Sequence, residues 1–347
     1  QVRVKFLSRC RQTDWSLHLP ASKSSMKNCH FIFDPEERNY DWLVVYDEMP
    51  RKNDGFKHSG VEELACCSSN TLLITTEPPT IKYYHRYYTN QFKWVLTSHD
   101  EDQLPHHGRI YSQPGLRWFY KKSFNDSIES LREHNCSSKS KVISTITSSK
   151  RQRHTLHNKR YLFIMELKKS IPDLEVFGRG VCPVVDKSEV IDSYKYHIVI
   201  ENFIGEHHWT EKLSDSFLGK TLPFYSGCPN LGDYFHPLSF IPIDLDDCKS
   251  AARKIKNAIN SNEFEKRIEY INQSRKKIID EYNIFAVISK IINERHSNCN
   301  AVRGKKIICR RLLRSNPIVA LDEFFYSFSK KLRFKTFLAS KNSEIKF

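Results

Sequence analysis

The stretch from Tyr196 to Asn230, YHIVIENFIGEHHWTEKLSDSFLGKTLPFYSGCPN, places a carboxylate and an amide, Glu201 and Asn202, directly after an apolar run. A short polar loop leads to Thr210, Glu211 and Lys212, and then an amphipathic segment and a second apolar run follow. The chemistry such a set can do is anion capture. The Thr210 hydroxyl is suited to cap free backbone N–H groups at a helix start. A helix start attracts phosphate through those N–H groups and through its dipole. Lys212, in the first turn, opposes that dipole, and a cation there is reasonable when a pyrophosphate lies between it and the helix. The bland alternative is a solvated lysine on an exposed turn beside a strand-end charge at Glu201, because most charged residues are surface residues.

Positioning these groups requires a strand before them and a helix after them. The pattern predicts a strand over Tyr196–Ile200, a helix over Glu211–Leu218 and a strand over Leu222–Tyr225. In an open α/β sheet, ligands sit at the carboxyl ends of strands, which is where Glu201 and Asn202 fall. Upstream, Val142–Ile146 reads as a strand, Lys159–Ser170 as a helix and Asp173–Phe177 as a strand closed by Gly178. The first part of the chain shows short apolar runs bounded by turns, Asp41–Tyr46, Asn70–Thr76 and Phe92–Thr97, which read as buried parallel strands. A polar stretch, Lys121 to Lys141, reads as a linker. Asp247 to Ile292 reads as a long helical stretch with Ile255, Ile259, Phe264, Ile268 and Ile271 at helical spacing. The expected organisation is an N-terminal Rossmann-like domain (1–130), a C-terminal domain with closing helices (131–295) and a basic tail (296–347).

The 347 residues suffice for two domains. Apolar residues at 39% and aromatics at 12% make the chain globular rather than disordered. No apolar run reaches the roughly 20 residues of a membrane span. The first residue is Gln, so an upstream segment or anchor is an expectation to hold open. The formal net charge of +15 favours polyanionic partners, yet no zinc-finger spacing or RNA motif accompanies it, and nucleic acid is not an expected partner. The ten cysteines show no C-x-x-C, so reduced, buried thiols are the first expectation, with oxidised pairs still open. Sequons at Asn125, Asn135 and Asn272 matter only in a secretory compartment.

From Ile200 to Leu245 the sequence resembles the donor-binding motif of the α1,3-fucosyltransferases, glycosyltransferase family 10. The matching positions are Ile200-Glu201-Asn202, Thr210-Glu211-Lys212, Leu222-Pro223, Gly227 and Ser239-Phe240-Ile241. Arg160, Leu167 and Gly178 fit the family's pattern further upstream. A position often aromatic in the family is His208 here. The resemblance implies a GT-B-like α/β fold, two Rossmann-like domains facing across a cleft, with a helical C-terminal extension. It implies an inverting transfer of L-fucose from GDP-fucose to a hydroxyl of a glycan acceptor. Donor binding falls to Arg160, Glu201, Asn202, His208, Thr210, Glu211 and Lys212. Glu77, in LLITTEPPT, occupies the place of the family's catalytic base at a first-domain strand end. The rest of the N-terminal domain is not close to the family, so acceptor and linkage stay open. Another nucleotide sugar, or a non-catalytic basic module for glycan or membrane, are the alternatives.

Asp100-Glu101-Asp102 and Asp244-Leu245-Asp246 look like metal-binding D-x-D triplets, but the first lies in a polar loop and the second falls where the resembling family has an acidic segment, which reads as structural; the pairs His106-His107 and His207-His208 lack further ligands at recognisable spacing. No obligatory metal cofactor is expected, with stimulation by Mn or Mg left open; Lys212, Arg160 and the helix terminus then balance the leaving-group charge. Near the C-terminus, Leu321, Phe324, Phe325, Phe328 and Leu332 recur at helical spacing. Lys330, Lys331, Arg333 and Lys335 cluster around them, and Arg303, Lys305, Lys306, Arg310, Arg311 and Arg314 precede them. Such a helix can lie on an anionic membrane surface or pack its apolar face on the catalytic domains. The expected location is cytoplasmic and membrane-associated, or the Golgi lumen if an N-terminal anchor has been removed.

Overall fold

The computed structural model describes residues 1–20, 24–51, 55, 58–121, 127–134, 138–149, 156–301 and 304–329. Leu332 and the lysines and arginine around it, Arg303, and the sequons at Asn125 and Asn135 lie outside the described residues.

The first sheet has seven strands: β1 (Val2–Leu7), β2 (Ser25–Met26), β3 (Cys29–Ile32), β4 (Trp42–Tyr46), β6 (Thr71–Ile74), β7 (Trp94–Thr97) and β8 (Arg109–Tyr111), in the order β2-β3-β1-β4-β6-β7-β8. All pairs except β2–β3 are parallel. Central strands such as TLLI in β6 are buried along their whole length, because a parallel sheet is covered on both faces. One face holds Phe6, Trp15, Trp42 and Val44; the other holds Leu43, Val45, Tyr88 and Ile307. Short helices α1 (Arg86–Thr89) and α2 (Ile128–Glu133) belong to the connections.

The second sheet orders β9 (Lys141–Ile146), β10 (Leu174–Phe177), β11 (Tyr194–Ile200), β12 (Leu222–Ser226) and β13 (Ile241–Pro242) as β10-β9-β11-β12-β13, all parallel. Its crossovers are α3 (His157–Ser170), α4 (Lys187–Ile191) and α5 (Glu211–Leu218). On α5, Leu213, Phe217 and Leu218 are wholly buried, each worth about 1.5–3 kcal/mol of apolar transfer. Pro223 is tolerated in β12 because the neighbouring β13 pairs only with Phe224 and Tyr225. Two Rossmann-like domains therefore face each other, which is the GT-B arrangement.

The long helical stretch is three helices, α6 (Cys248–Asn260), α7 (Glu263–Asp280) and α8 (Ile284–Arg295). Asn262, in the left-handed region at φ 53°, ends the first, and the Asn283 side chain caps the third. The expected boundary at 295 does not describe the packing. Ile284, Phe285, Ile288, Ile291 and Ile292 of α8 sit in the core of the N-terminal domain, so the chain crosses back near residue 283. Beyond α8, Cys299 is disulfide-bonded to Cys67, and β14 (Lys306–Ile308) pairs antiparallel with β5 (Val61–Glu63). At this pair the open alternative of an oxidised pair holds rather than the first expectation of reduced thiols, and distance along the sequence concealed it. After α9 (Arg310–Leu313), residues 317–329 are helical.

That last helix is not packed as a core helix. Glu323 is buried against Arg310 and Arg314, Asp322 meets His85 and Arg86, and Tyr326 donates to the Gln103 carbonyl. Its polar face docks, while Leu321, Phe324, Phe325 and Phe328 are each more than half exposed.

Candidate active site

The expected strand end and helix mouth form as a single hydrogen-bonded unit. Glu201 follows β11 and is fully buried. Its Oε1 accepts the Thr210 N–H at 2.8 Å and its Oε2 accepts the Thr210 hydroxyl at 2.6 Å. Thr210 caps α5, its Oγ accepting from the Lys212 N–H at 3.4 Å. Lys212 Nζ donates to Thr210 Oγ1 at 3.0 Å, Glu211 Oε1 at 3.1 Å and Glu201 Oε2 at 3.4 Å. Gly227 permits this closure, because a Cβ there would lie 2.5 Å from Glu201 Cγ.

A cavity of about 200 Å³ opens at this point, lined by Arg160, Glu211 and Lys212 among others. The predicted donor residues thus divide into two sets. Arg160, Glu211 and Lys212 face the cavity. Glu201 and Thr210 stand behind them as supports. Asn202 accepts from Arg160 Nη1, which also donates to the Ile200 carbonyl at 3.2 Å. His208 is buried between the domains, its Nδ1 3.2 Å from Ser98 Oγ at the end of β7.

The cavity lining carries Arg160, Arg179, Lys187 and Lys212 against the carboxylates Glu211 and Asp215, an excess of positive charge that suits an anion. Burial works to raise the Glu211 carboxyl, but Lys212 and Lys187 outweigh it and hold the group at about 2. Burial works to lower the Lys212 ammonium, but Glu211 and Glu201 raise it, so it stays charged. Arg160 Nε and Thr147 Oγ1, both buried at the cavity wall, have no protein partner among the described residues. Buried polar atoms are rarely left so, and both are available to a ligand.

Lys187 and Asp215 were not singled out from sequence. Lys187 lines the cavity and pairs with Asp215 on α5. Asp215 also accepts the N–H groups of Phe119 (2.9 Å) and Tyr120 (3.0 Å). Just before them, the Trp118 N–H is held by His18 of the N-terminal domain. The segment Trp118–Tyr120 is therefore fastened to both His18 and α5. Nothing local marks Lys187; only the fold brings it to the cavity.

Glu77 follows β6 and stands across the cleft, near enough to Glu211 and Lys212 for their charges to act on it. Its carboxyl is pushed up by partial desolvation, then by Asp47 and Glu211, with Lys82 and Lys212 opposing. By surface area the residue is exposed. Asp47, at the end of β4, could have been noticed by the strand-end argument that drew attention to Glu201.

Among the described residues no group of three or more His, Cys, Asp or Glu is arranged to hold a metal. Asp246 pairs with Lys159, Asp244 accepts the Asp246 N–H and Asp100 accepts the Gln103 N–H.

Residues 136–303 match the family model described as glycosyltransferase family 10 (fucosyltransferase) C-term. A 60-residue segment is 35% identical to alpha-(1,3)-fucosyltransferase FucT of Helicobacter pylori, covering 17% of this chain and 13% of that protein. A crystal structure of alpha1,3-fucosyltransferase with GDP-fucose overlays with a TM-score of 0.48 at 16% identity, covering 86% of this chain and 93% of the other. TarM overlays at 0.46 and 11% identity, covering 74% and 55%.

Proposed function

We propose, from the match of residues 136–303 to glycosyltransferase family 10, that the protein transfers L-fucose from GDP-fucose to a hydroxyl of a glycan acceptor with inversion, giving an α-linkage. The observation that supports this reading is the cavity at the start of α5, lined by Arg160, Glu211 and Lys212, with Glu77 near enough for the charges of Glu211 and Lys212 to act on it.

In the proposed reaction the acceptor hydroxyl oxygen attacks the anomeric carbon in line. Glu77 takes the hydroxyl proton as the new C–O bond forms. The bond from that carbon to the diphosphate oxygen breaks, and GDP departs with the electron pair. Lys212, Arg160 and the N-terminus of α5 offset the charge that develops on it. A raised carboxyl suits a general base, which works best when its proton affinity lies near the operating pH. Lys212 and Arg160 are placed to supply positive charge to the leaving group, and transfer without an obligatory metal, with Mn or Mg at most stimulating, belongs to the same proposal. GDP release from GDP-fucose, followed over a panel of glycan acceptors with and without a chelator, tests it. No release above that of heat-denatured protein would leave the non-catalytic alternative standing.

The exposed apolar face of the 317–329 helix supports a second element of the proposal, docking on an anionic membrane surface. The sequence that follows it carries Lys330, Lys331, Arg333 and Lys335. Truncation before Arg303 is unsuitable as a test because it would remove β14, whose Ile307 is fully buried. Replacing Phe324, Phe325 and Phe328 by Ser leaves the docked polar face alone. Co-sedimentation with anionic vesicles should be lost in that variant; equal binding by variant and parent would reject the membrane role. The Cys67–Cys299 pair supports the luminal alternative for location, because disulfides persist in oxidising compartments. Thiol mapping of the protein taken from its source tests this.

A further inference from the structure

Both backbone groups of Glu77 are held by side chains. Its N–H, with that of Thr76, points to the Tyr84 hydroxyl, at 3.5 and 3.1 Å. Its carbonyl is 2.8 Å from His99 Nε2. His99 is kept neutral, at about 4, by burial against the opposing effect of this bond, so Nε2 donates as the N–H of a neutral ring. Pro78 and Pro79, both buried, follow. The carboxylate alone is left to the cleft.

The Tyr84 hydroxyl, having accepted these N–H groups, donates its own proton to Asp47. Asp47 lies one residue past the end of β4, the strand beside β6, where Tyr46 is in register with Ile74 and the Asp47 N–H reaches the Ile74 carbonyl at 2.8 Å. It is in the left-handed region at φ 65°, a conformation that Asp and Asn accept more readily than other side-chain-bearing residues. Lys82 holds both Asp47 oxygens at 2.9 Å and Glu48 Oε1 at 2.8 Å.

We propose that Asp47 is the positioning residue for Glu77, fixing its backbone through Tyr84 and setting, against Lys82, the charge that its carboxylate faces. This rests on the reading of Glu77 as the base. The groups facing Glu77 are Asp47 from the end of β4, Lys82 from its own loop, Glu211 and Lys212 from α5, and neutral His99 from the end of β7. Asp47 is positioned to keep a proton on Glu77 to higher pH, and Lys82 to remove it.

Two full-chain substitutions separate this from a merely structural role. Asp47→Asn keeps an acceptor for Tyr84 and tolerates the left-handed backbone, but removes the charge. Lys82→Met removes the cation. Carbodiimide labelling of Glu77, read by peptide mass spectrometry over a pH series, reports its protonation without any substrate. GDP release from GDP-fucose, with water as acceptor, is followed over the same series. The Glu77 midpoint and the acid limb of release should both move down in Asp47→Asn and up in Lys82→Met, by roughly half a unit or more, with GDP affinity unchanged. A Glu77 midpoint that stays put in both variants, or moves the same way in both, overturns the proposal. Midpoints that move as expected while the acid limb does not follow would leave Asp47 in its role and remove Glu77 as the base.

Discussion

Glu201 and Thr210, nine residues apart, close a two-point clamp in which one carboxylate accepts both the backbone N–H and the hydroxyl of the same threonine, at 2.8 and 2.6 Å. The clamp folds the loop back so that the first turn of α5 ends at the cavity. Glu201→Gln turns one acceptor oxygen into a donor facing a donor. Hydrogen bonds to buried charged groups are worth about 1.5–3 kcal/mol, so unfolding in denaturant should show a loss of about that size. A stability change within error would mean that the loop is held by other contacts.

The cavity cations should be readable as GDP affinity. Arg160→Ala and Lys212→Ala each remove a charge-assisted contact to phosphate and should weaken GDP by about 10- to 100-fold in calorimetry. Lys187→Met should also weaken it, because its ammonium lines the same cavity. Unchanged affinity in the Arg160 and Lys212 variants would remove the diphosphate from this site.

Stability should fall in mild acid. Burial keeps several histidines neutral in the fold, among them His99 at about 4, opposed by its bond to the Glu77 carbonyl; His208 at about 4, aided by Lys212; His197 at about 3, aided by Lys187 and Lys139; and His18, well below its ordinary value, aided by Arg117. In the unfolded chain each titrates near ~6.5. The folded values are depressed, so the contribution is complete above that pH and is lost as pH falls toward the folded values. Each group contributes about 1.4 kcal/mol per pH unit over that window. Differential scanning calorimetry should show Tm dropping between about pH 6.5 and 4; a flat or rising Tm there would show that these rings are protonated in the fold.

The strand–helix–strand unit around Glu201 and Lys212 was legible because its signals are local. Helix α5 runs over Glu211–Leu218 as the spacing implied, since Thr210 caps it and its apolar residues fall on one stripe. Strand β1 was not legible. Its VRVKFL carries Lys5, which reads as surface, yet Lys5 is fully buried and bonded to Glu62 at 2.8 Å. The Asp47–Tyr84–Glu77 chain depends on β4 and β6 being neighbours, a long-range fact that no spacing encodes. The tail helix was recognised as amphipathic, but its docking by Glu323 and Asp322 reverses the usual preference for burying the apolar side.

The central claim is that Glu77 is the base and that the groups opposite it hold the donor. The most direct measurement is turnover of GDP-fucose by Glu77→Gln, paired with GDP affinity measured on the same protein. Turnover should fall about 100-fold or more, the scale of a lost general base, with GDP binding close to that of the parent. Parental turnover in this variant would contradict the account and reduce Glu77 to a residue of the turn.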